Sequence, residues 1–451
     1  MKSVVLLVFI TCQLCVQVSY GLNITFNSSN VEVFVDDKVT VLVIFNGAGD
    51  ELEQVKASNW TVFYEPRSNL EAEFKQSSIV CDNIDQRCIG EMDIKGLFLG
   101  FGTVTLARLD PETKTWIKLE PRLVVTIIRL DKLINKIFIA FVAIVVSLNN
   151  VNMGCALDLG IVKDVLKRPI GPAIGCFCQF VIMPLVSYGV GYLIFEDPVM
   201  RLGLFTFGSS PAGGASNMWT VLLGGNLNLS ITMTFISTIA ALGTIPFWLF
   251  TLGKTIITGT KIVVPFQNII ASLASLMIPI GIGILIQRRF PKVAARSKRI
   301  LAPVCIILLI CIVVLASIAN SYMFYLLTWR MAIAASLSVW TGFAAGILVA
   351  LVFRFSRADI IAIAVETGIQ NSGIAFVLLS YSLKPPVSDI ASVVPVAGSI
   401  ITPIPLFVIY CFQKIWNRCH RNEDFELQAI TSKRRDSDQG EINLASDFVN
   451  K

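Results

Sequence analysis

The sequence predicts a multi-pass α-helical membrane protein with nine spanning helices, preceded by a small β-sandwich. Three observations carry that prediction. Hydrophobic residues make up 54 % of the 451 residues, above the ~45–50 % of an ordinary soluble chain. The excess collects in the second two-thirds of the chain, in apolar runs of about 20 residues, the length a helix needs to cross a bilayer. Ahead of those runs the pattern is different: short stretches alternate with period two and are rich in β-branched and aromatic residues.

Residues 1–21 read as a cleaved secretory signal, with Lys2, an apolar run over residues 4–10, and the small residues Ser19 and Gly21. A short N-terminal anchor is the alternative, and either places the next region outside the cytosol. Residues 22–128 form the predicted extracellular β-rich domain, with strands near 31–35, 39–45, 60–64, 102–106 and 123–127. Three sequons, at Asn23, Asn27 and Asn59, suit a glycosylated outer surface. Of the eleven cysteines, Cys81 and Cys88 are the candidate disulfide pair, seven apart in the segment expected outside. The domain carries no catalytic constellation and reads as a folding or trafficking appendage or as a ligand-recognition module.

Residues 129–413 form the predicted membrane domain. Its nine apolar runs cover about 133–156, 169–194, 201–223, 229–252, 266–287, 300–325, 330–353, 358–381 and 387–413. An external N-terminus and an odd number of spans put the C-terminus in the cytosol. Basic residues agree: Lys163, Lys167, Arg168, Arg288, Arg289, Arg354 and Arg357 are among those in predicted cytosolic loops, and predicted external loops hold fewer. The net charge of +6 is therefore a topology signal and not a nucleic-acid signature. Residues 414–451 are polar and charged and read as a disordered cytosolic tail.

Glu366, in Glu366-Thr367-Gly368-Ile369-Gln370-Asn371, is the one acidic residue well inside a long apolar segment. A carboxylate at that depth is costly unless it is paired, hydrated or ligating, so it reads as functional; a protonated Glu bonded to a neighbouring helix is the bland alternative. The third run is interrupted as well, by Pro211-Ala212-Gly213-Gly214. Helix breakers at membrane depth free backbone groups that lipid cannot satisfy. Two such segments at corresponding positions of two halves point to the binding site of an inverted-repeat transporter. Ser230 and Thr234, four apart, share one helix face, although hydroxyls in spanning helices often bond back to their own backbone. Gln179 is either a ligand or a bridge between helices. The single histidine, His420, follows the last run, which excludes a histidine relay or a histidine-rich metal cage. No nucleophile with its base and no cofactor loop is present, so an enzyme is not expected.

In order along residues 130–413, Met153-Gly154-Cys155, Lys167-Arg168-Pro169, Cys178-Gln179-Phe180 with Met183-Pro184-Leu185, Pro211-Ala212-Gly213-Gly214-Ala215-Ser216-Asn217, Leu229-Ser230 with Thr234, and Glu366 to Asn371 resemble the bile acid:sodium symporter family (solute carrier family 10). The resemblance implies a core domain and a panel domain, with two broken helices that cross near the bilayer centre and two sodium sites behind the crossing. It assigns Ser216, Asn217, Ser230, Thr234 and Glu366 to the first site. The second would use Gln179, Glu366 and Gln370 with the carbonyls of Thr367 and Ile369, and Asn371 would face the substrate. Ser209-Ser210 and the last run, from Pro395 to Pro405, depart from the bile-acid carriers, and the signal peptide with an ectodomain resembles the orphan branch of the family. The expectation is a sodium-coupled symporter of a small organic anion, bile-acid or steroid-conjugate-like, set in plasma-membrane lipid. Sodium would be its one inorganic partner, with no further cofactor and no nucleic acid. A receptor or trafficking partner that keeps the transporter fold without transporting is the alternative.

Overall fold

The structure, a computed structural model, describes residues 23–47, 49–82, 86–130, 133–157, 159–167, 169–258, 266–294 and 321–416. The predicted signal peptide, most of the sixth apolar run and all of the tail beyond residue 416, His420 included, lie outside the described residues. Two compact units divide the chain close to Leu133.

In the first unit, alternation in the sequence becomes two facing sheets. β1 (Asn23–Phe26), β3 (Lys38–Asn46), β6 (Arg87–Gly96) and β5 (Leu70–Asp82) form one, in the order β1-β3-β6-β5. β2 (Asn30–Phe34), β9 (Leu123–Ile128), β7 (Gly100–Leu109) and β4 (Trp60–Glu65) form the other, with β8 (Trp116–Lys118) paired to β7. Val31 and Val33 of β2 point inward while Glu32 and Phe34 point out, as period two requires. The buried core includes Val43, Phe45, Leu70, Met92, Ile94, Leu106 and Ile127. Phe45 packs 4.9 Å from the Trp60 ring, and the Trp60 indole donates to the Val55 carbonyl at the end of α1 (Gly49–Ala57). Cys81 and Cys88 are register partners in the β5–β6 hairpin, with their sulfurs within bonding distance. Asn23, Asn27 and Asn59 are exposed.

Among the described residues of this unit, one acid is buried. Asp93 accepts hydrogen bonds from Lys38 (2.7 Å), Lys75 (3.0 Å) and Thr40 (2.7 Å). Burial works to raise its pKa, but these donors outweigh it and hold the carboxyl at about 2.

The second unit is helical. In chain order it has α2 (Leu133–Ala156), α3 (Leu159–Leu166), α4 (Ile170–Ile194), α5 (Pro198–Gly208), α6 (Ala215–Leu222), α7 (Leu227–Ile257), α8 (Phe266–Arg289), α9 (Ser321–Leu326), α10 (Trp329–Val352), α11 (Arg357–Gly368), α12 (Ser372–Ser382) and α13 (Val387–Trp416). Among the described residues, five helices are long and apolar enough to cross a membrane, namely α4, α7, α10, α13 and the stretch Lys136–Cys155 of α2. The chain is a multi-pass membrane protein. The third and eighth apolar runs are each split into two short helices, α5 with α6 and α11 with α12. Residues 209–214 separate the first pair and residues 369–371 the second.

Local chemistry explains the breaks. Asp197 caps α5 by accepting from the Val199 amide, and the helix then runs into Pro211, which has no N–H to offer. Asn371 caps α12 by accepting from Ile374 at 3.0 Å, and Ile369 takes an extended conformation at the end of α11. α4 and α7 each contain a π-helical turn, at Cys178–Ile182 and Leu249–Gly253, a distortion frequent at functional sites.

Candidate functional site

The two interrupted segments meet. Ala212 and Gln370 form an isolated antiparallel bridge, in which the Gly213 amide donates to the Ile369 carbonyl and the Asn371 amide donates to the Pro211 carbonyl, both at 2.8 Å. Backbone groups freed by the two breaks therefore satisfy each other at a depth where lipid cannot. The approach is close enough to need a glycine: a Cβ on Gly213 would stand 2.8 Å from the Gln370 carbonyl oxygen. The N-terminal ends of α6 and α12 and the C-terminal ends of α5 and α11 converge here, so the partial charges of four helix ends are focused on one place.

Against the crossing lies a cluster of oxygens. Glu366, 1 % exposed, accepts from the Ser216 hydroxyl at 2.6 Å, from the Ser230 hydroxyl, and from the Thr234 hydroxyl at 2.9 and 3.0 Å to its two oxygens. The Asn217 side-chain oxygen lies 3.0 Å from the Ser230 hydroxyl and 3.5 Å from that of Thr234. Ser216 and Asn217 open α6, Ser230 and Thr234 are one turn apart on α7, and Glu366 is in the last turn of α11. The five residues assigned to the first ion site are thus brought together from three helices.

Protons are short in that cluster. Ser230 has one hydroxyl proton for Glu366 and Asn217, and Thr234 has one for Glu366, Asn217 and the Ser230 carbonyl. Surplus lone pairs around an anionic carboxylate are the donor set of a hard cation. Sodium fits these residues.

A second group stands around Gln179, on the π turn of α4. Its amide nitrogen donates to the Ser210 carbonyl and to the Gln370 side-chain oxygen, both at 2.7 Å. Its amide oxygen, in a residue 3 % exposed, has no hydrogen-bond partner among the described residues, and a buried carbonyl oxygen of this kind suits a hard cation. Gln370 donates to the Thr367 carbonyl at 2.8 Å, and the Ile369 carbonyl takes the Gly213 amide. Gln179, Thr367, Ile369 and Gln370 are thereby connected. The hydrogen bonds of Glu366 all belong to the first cluster and none reaches Gln179 or Gln370. Asn371 is half-buried beside the bridge, its oxygen engaged in capping α12.

Sequence reasoning passed over Thr220, Ser237 and Trp248. The Thr220 hydroxyl is 3.1 Å from that of Ser230, and that of Ser237 is 3.4 Å from the Ala212 amide. The signal for Thr220 was its position four residues after Ser216, on the same helix face. For Trp248 no spacing rule would have served, because its partner is 68 residues away.

Fold and site together define a membrane protein of many passes whose polar centre is framed by two broken, crossing helices. The model of the Sodium Bile acid symporter family matches residues 143–327. The chain belongs to that family. The human ileal sodium/bile acid cotransporter is 27 % identical over 297 residues, 66 % of this chain and 85 % of that one. The rat hepatic sodium/bile acid cotransporter is 30 % identical over 239 residues, 52 % of this chain and 66 % of the other. The human P3 protein is 28 % identical over 250 residues, 55 % of this chain; there the chain spans about half the length of its relative, 52 %.

Proposed function

We propose that the chain is a sodium-coupled symporter of an organic anion of the bile-acid or steroid-conjugate kind. In this reading nine spans cross the plasma membrane, the β-rich domain is outside and glycosylated, and the C-terminus is in the cytosol. The observation that carries it is the oxygen cluster of Ser216, Asn217, Ser230, Thr234 and Glu366 at the crossing of two broken helices. The cotransporter names of the ileal and hepatic relatives supply the substrate class.

Sodium enters the first cluster, where the Glu366 charge offsets its own, and a second ion occupies the neighbourhood of Gln179 and Gln370. Ion binding ties α6, α7 and α11 together through Glu366 and sets the helix ends at the crossing, where Asn371 faces the anion. Alternating access then exposes the loaded site to the cytosol. Two sodium ions moving inward across 100 mV release ~4.6 kcal/mol from voltage alone, at ~2.3 per charge, enough for a substantial gradient of substrate.

Thermal stability of the purified protein tests the ion site without knowledge of the substrate. Sodium, compared with choline at equal ionic strength, should raise the melting temperature of the wild type, and Asn217→Ala should lose most of that rise. A wild type indifferent to sodium would favour a receptor that has kept the fold.

A further inference from the structure

The π turn that carries Gln179 has a chemical cause and a remote support. Pro184 has no N–H, so the carbonyl four residues before it, that of Phe180, loses its helical donor. α4 widens over Cys178–Ile182, where the Met183 amide closes on Cys178. The Phe180 carbonyl accepts instead from the indole nitrogen of Trp248, at 2.7 Å. Phe180 is buried, and lipid holds no donor that could replace the indole.

Gln179 immediately precedes that carbonyl. Successive side chains on a helix are set about 100° apart, so a turn that relaxed from π to α geometry would swing Gln179 away from Ser210 and Gln370, which its amide nitrogen now meets. Trp248 is on α7, the helix that also bears Ser230 and Thr234. One element thus serves both groups of oxygens, by its hydroxyls in the first and by its indole in the second.

We infer that Trp248 is a positioning residue: its N–H holds the π turn of α4 in the register that aims Gln179 at the crossing, with the amide oxygen free for a cation. The inference rests on the sodium reading of that site. It assigns a role to a side chain outside both groups of oxygens, acting through the Phe180 carbonyl.

Equilibrium binding of radioactive sodium to the purified full-length protein tests it. Trp248→Phe, which keeps a ring and removes the donor, should raise the half-saturating sodium concentration about fivefold or more, the effect of one buried hydrogen bond. In a Gln179→Ala background the same change should have no further effect, because it acts through Gln179. Pro184→Ala returns an N–H to the helix and should weaken binding by a similar factor, with no addition from Trp248→Phe; that variant carries the test if Trp248→Phe does not fold. Unaltered sodium binding by Trp248→Phe, or by Pro184→Ala where the first variant does not fold, would overturn the inference. So would an equal loss with and without Gln179. Absence of saturable sodium binding by the wild type would instead overturn the site reading on which it rests.

Discussion

Glu366→Gln separates the charge of the site from its shape. The amide oxygen of glutamine can stand where Oε1 stands and still accept from Ser216, Ser230 and Thr234, while Oε2, which the NH₂ replaces, meets Thr234 alone, at 3.0 Å. The hydroxyl of Thr234 can rotate to accept from the new NH₂. Folding should therefore change by no more than about 1 kcal/mol. Ion binding should change far more. A unit charge ~4 Å from a cation in a medium of effective dielectric ~20 contributes about 4 kcal/mol, which is roughly a thousandfold in affinity. The assay is the melting temperature of the purified variant as a function of sodium. The expected result is a melting temperature in choline close to that of the wild type, with the sodium-dependent rise absent up to molar concentrations. A variant with the wild-type sodium midpoint would refute the reasoning, since its one missing feature is the charge.

Three further outcomes follow from the same geometry. Gly213→Ala puts a Cβ against the Gln370 carbonyl; it should separate the crossing segments, cost about 1–3 kcal/mol as overpacking and abolish sodium stabilisation, read as a lower melting temperature that sodium no longer raises. Thr220→Val removes the hydroxyl 3.1 Å from Ser230 and should raise the sodium midpoint severalfold while the melting temperature in choline stays within a few degrees, because about 1 kcal/mol is at stake. In the β-rich unit the lowered pKa of Asp93 makes stability depend on acid: the contribution is complete above the ordinary carboxyl value of 3.8 and is lost as pH falls through about 2. Asp93→Asn should flatten that loss and lower the unit's melting transition at neutral pH by about 1–2 kcal/mol, measured by calorimetry of the full-length protein at pH 7 and pH 3.

What could be read from the residues divides by range. The helices α4, α7, α10 and α13 follow from apolar length, the break at Pro211 from a residue that cannot continue a helix, and the one near Gln370 from the flexible Gly368 amid polar residues. Strands β2, β3, β4, β7 and β9 follow from alternation. β5 and β6 were not legible: Glu71, Glu73, Lys75, Glu91 and Lys95 make the hairpin polar, and it is held by Cys81 opposite Cys88 and by the Asp93 ion pairs, contacts that form across strands. Helix α1, with Asp50, Glu51, Glu53 and Lys56, has too little apolar face to announce itself. At the site, Glu366 stood out by its cost, and Ser216, Asn217, Ser230 and Thr234 by resemblance. The shortage of protons around them, the meeting of Gln179 with Ser210 and Gln370, and the indole of Trp248 on the Phe180 carbonyl exist only once distant segments meet.

The most direct test of sodium-coupled transport is an untargeted comparison of metabolites accumulated by cells that carry the full-length protein, in sodium and in choline medium, with Glu366→Gln delivered to the surface at equal level. The account predicts an organic anion that accumulates only with sodium and only with the wild type. Identical profiles in the two media, with the wild type at the surface, would contradict it.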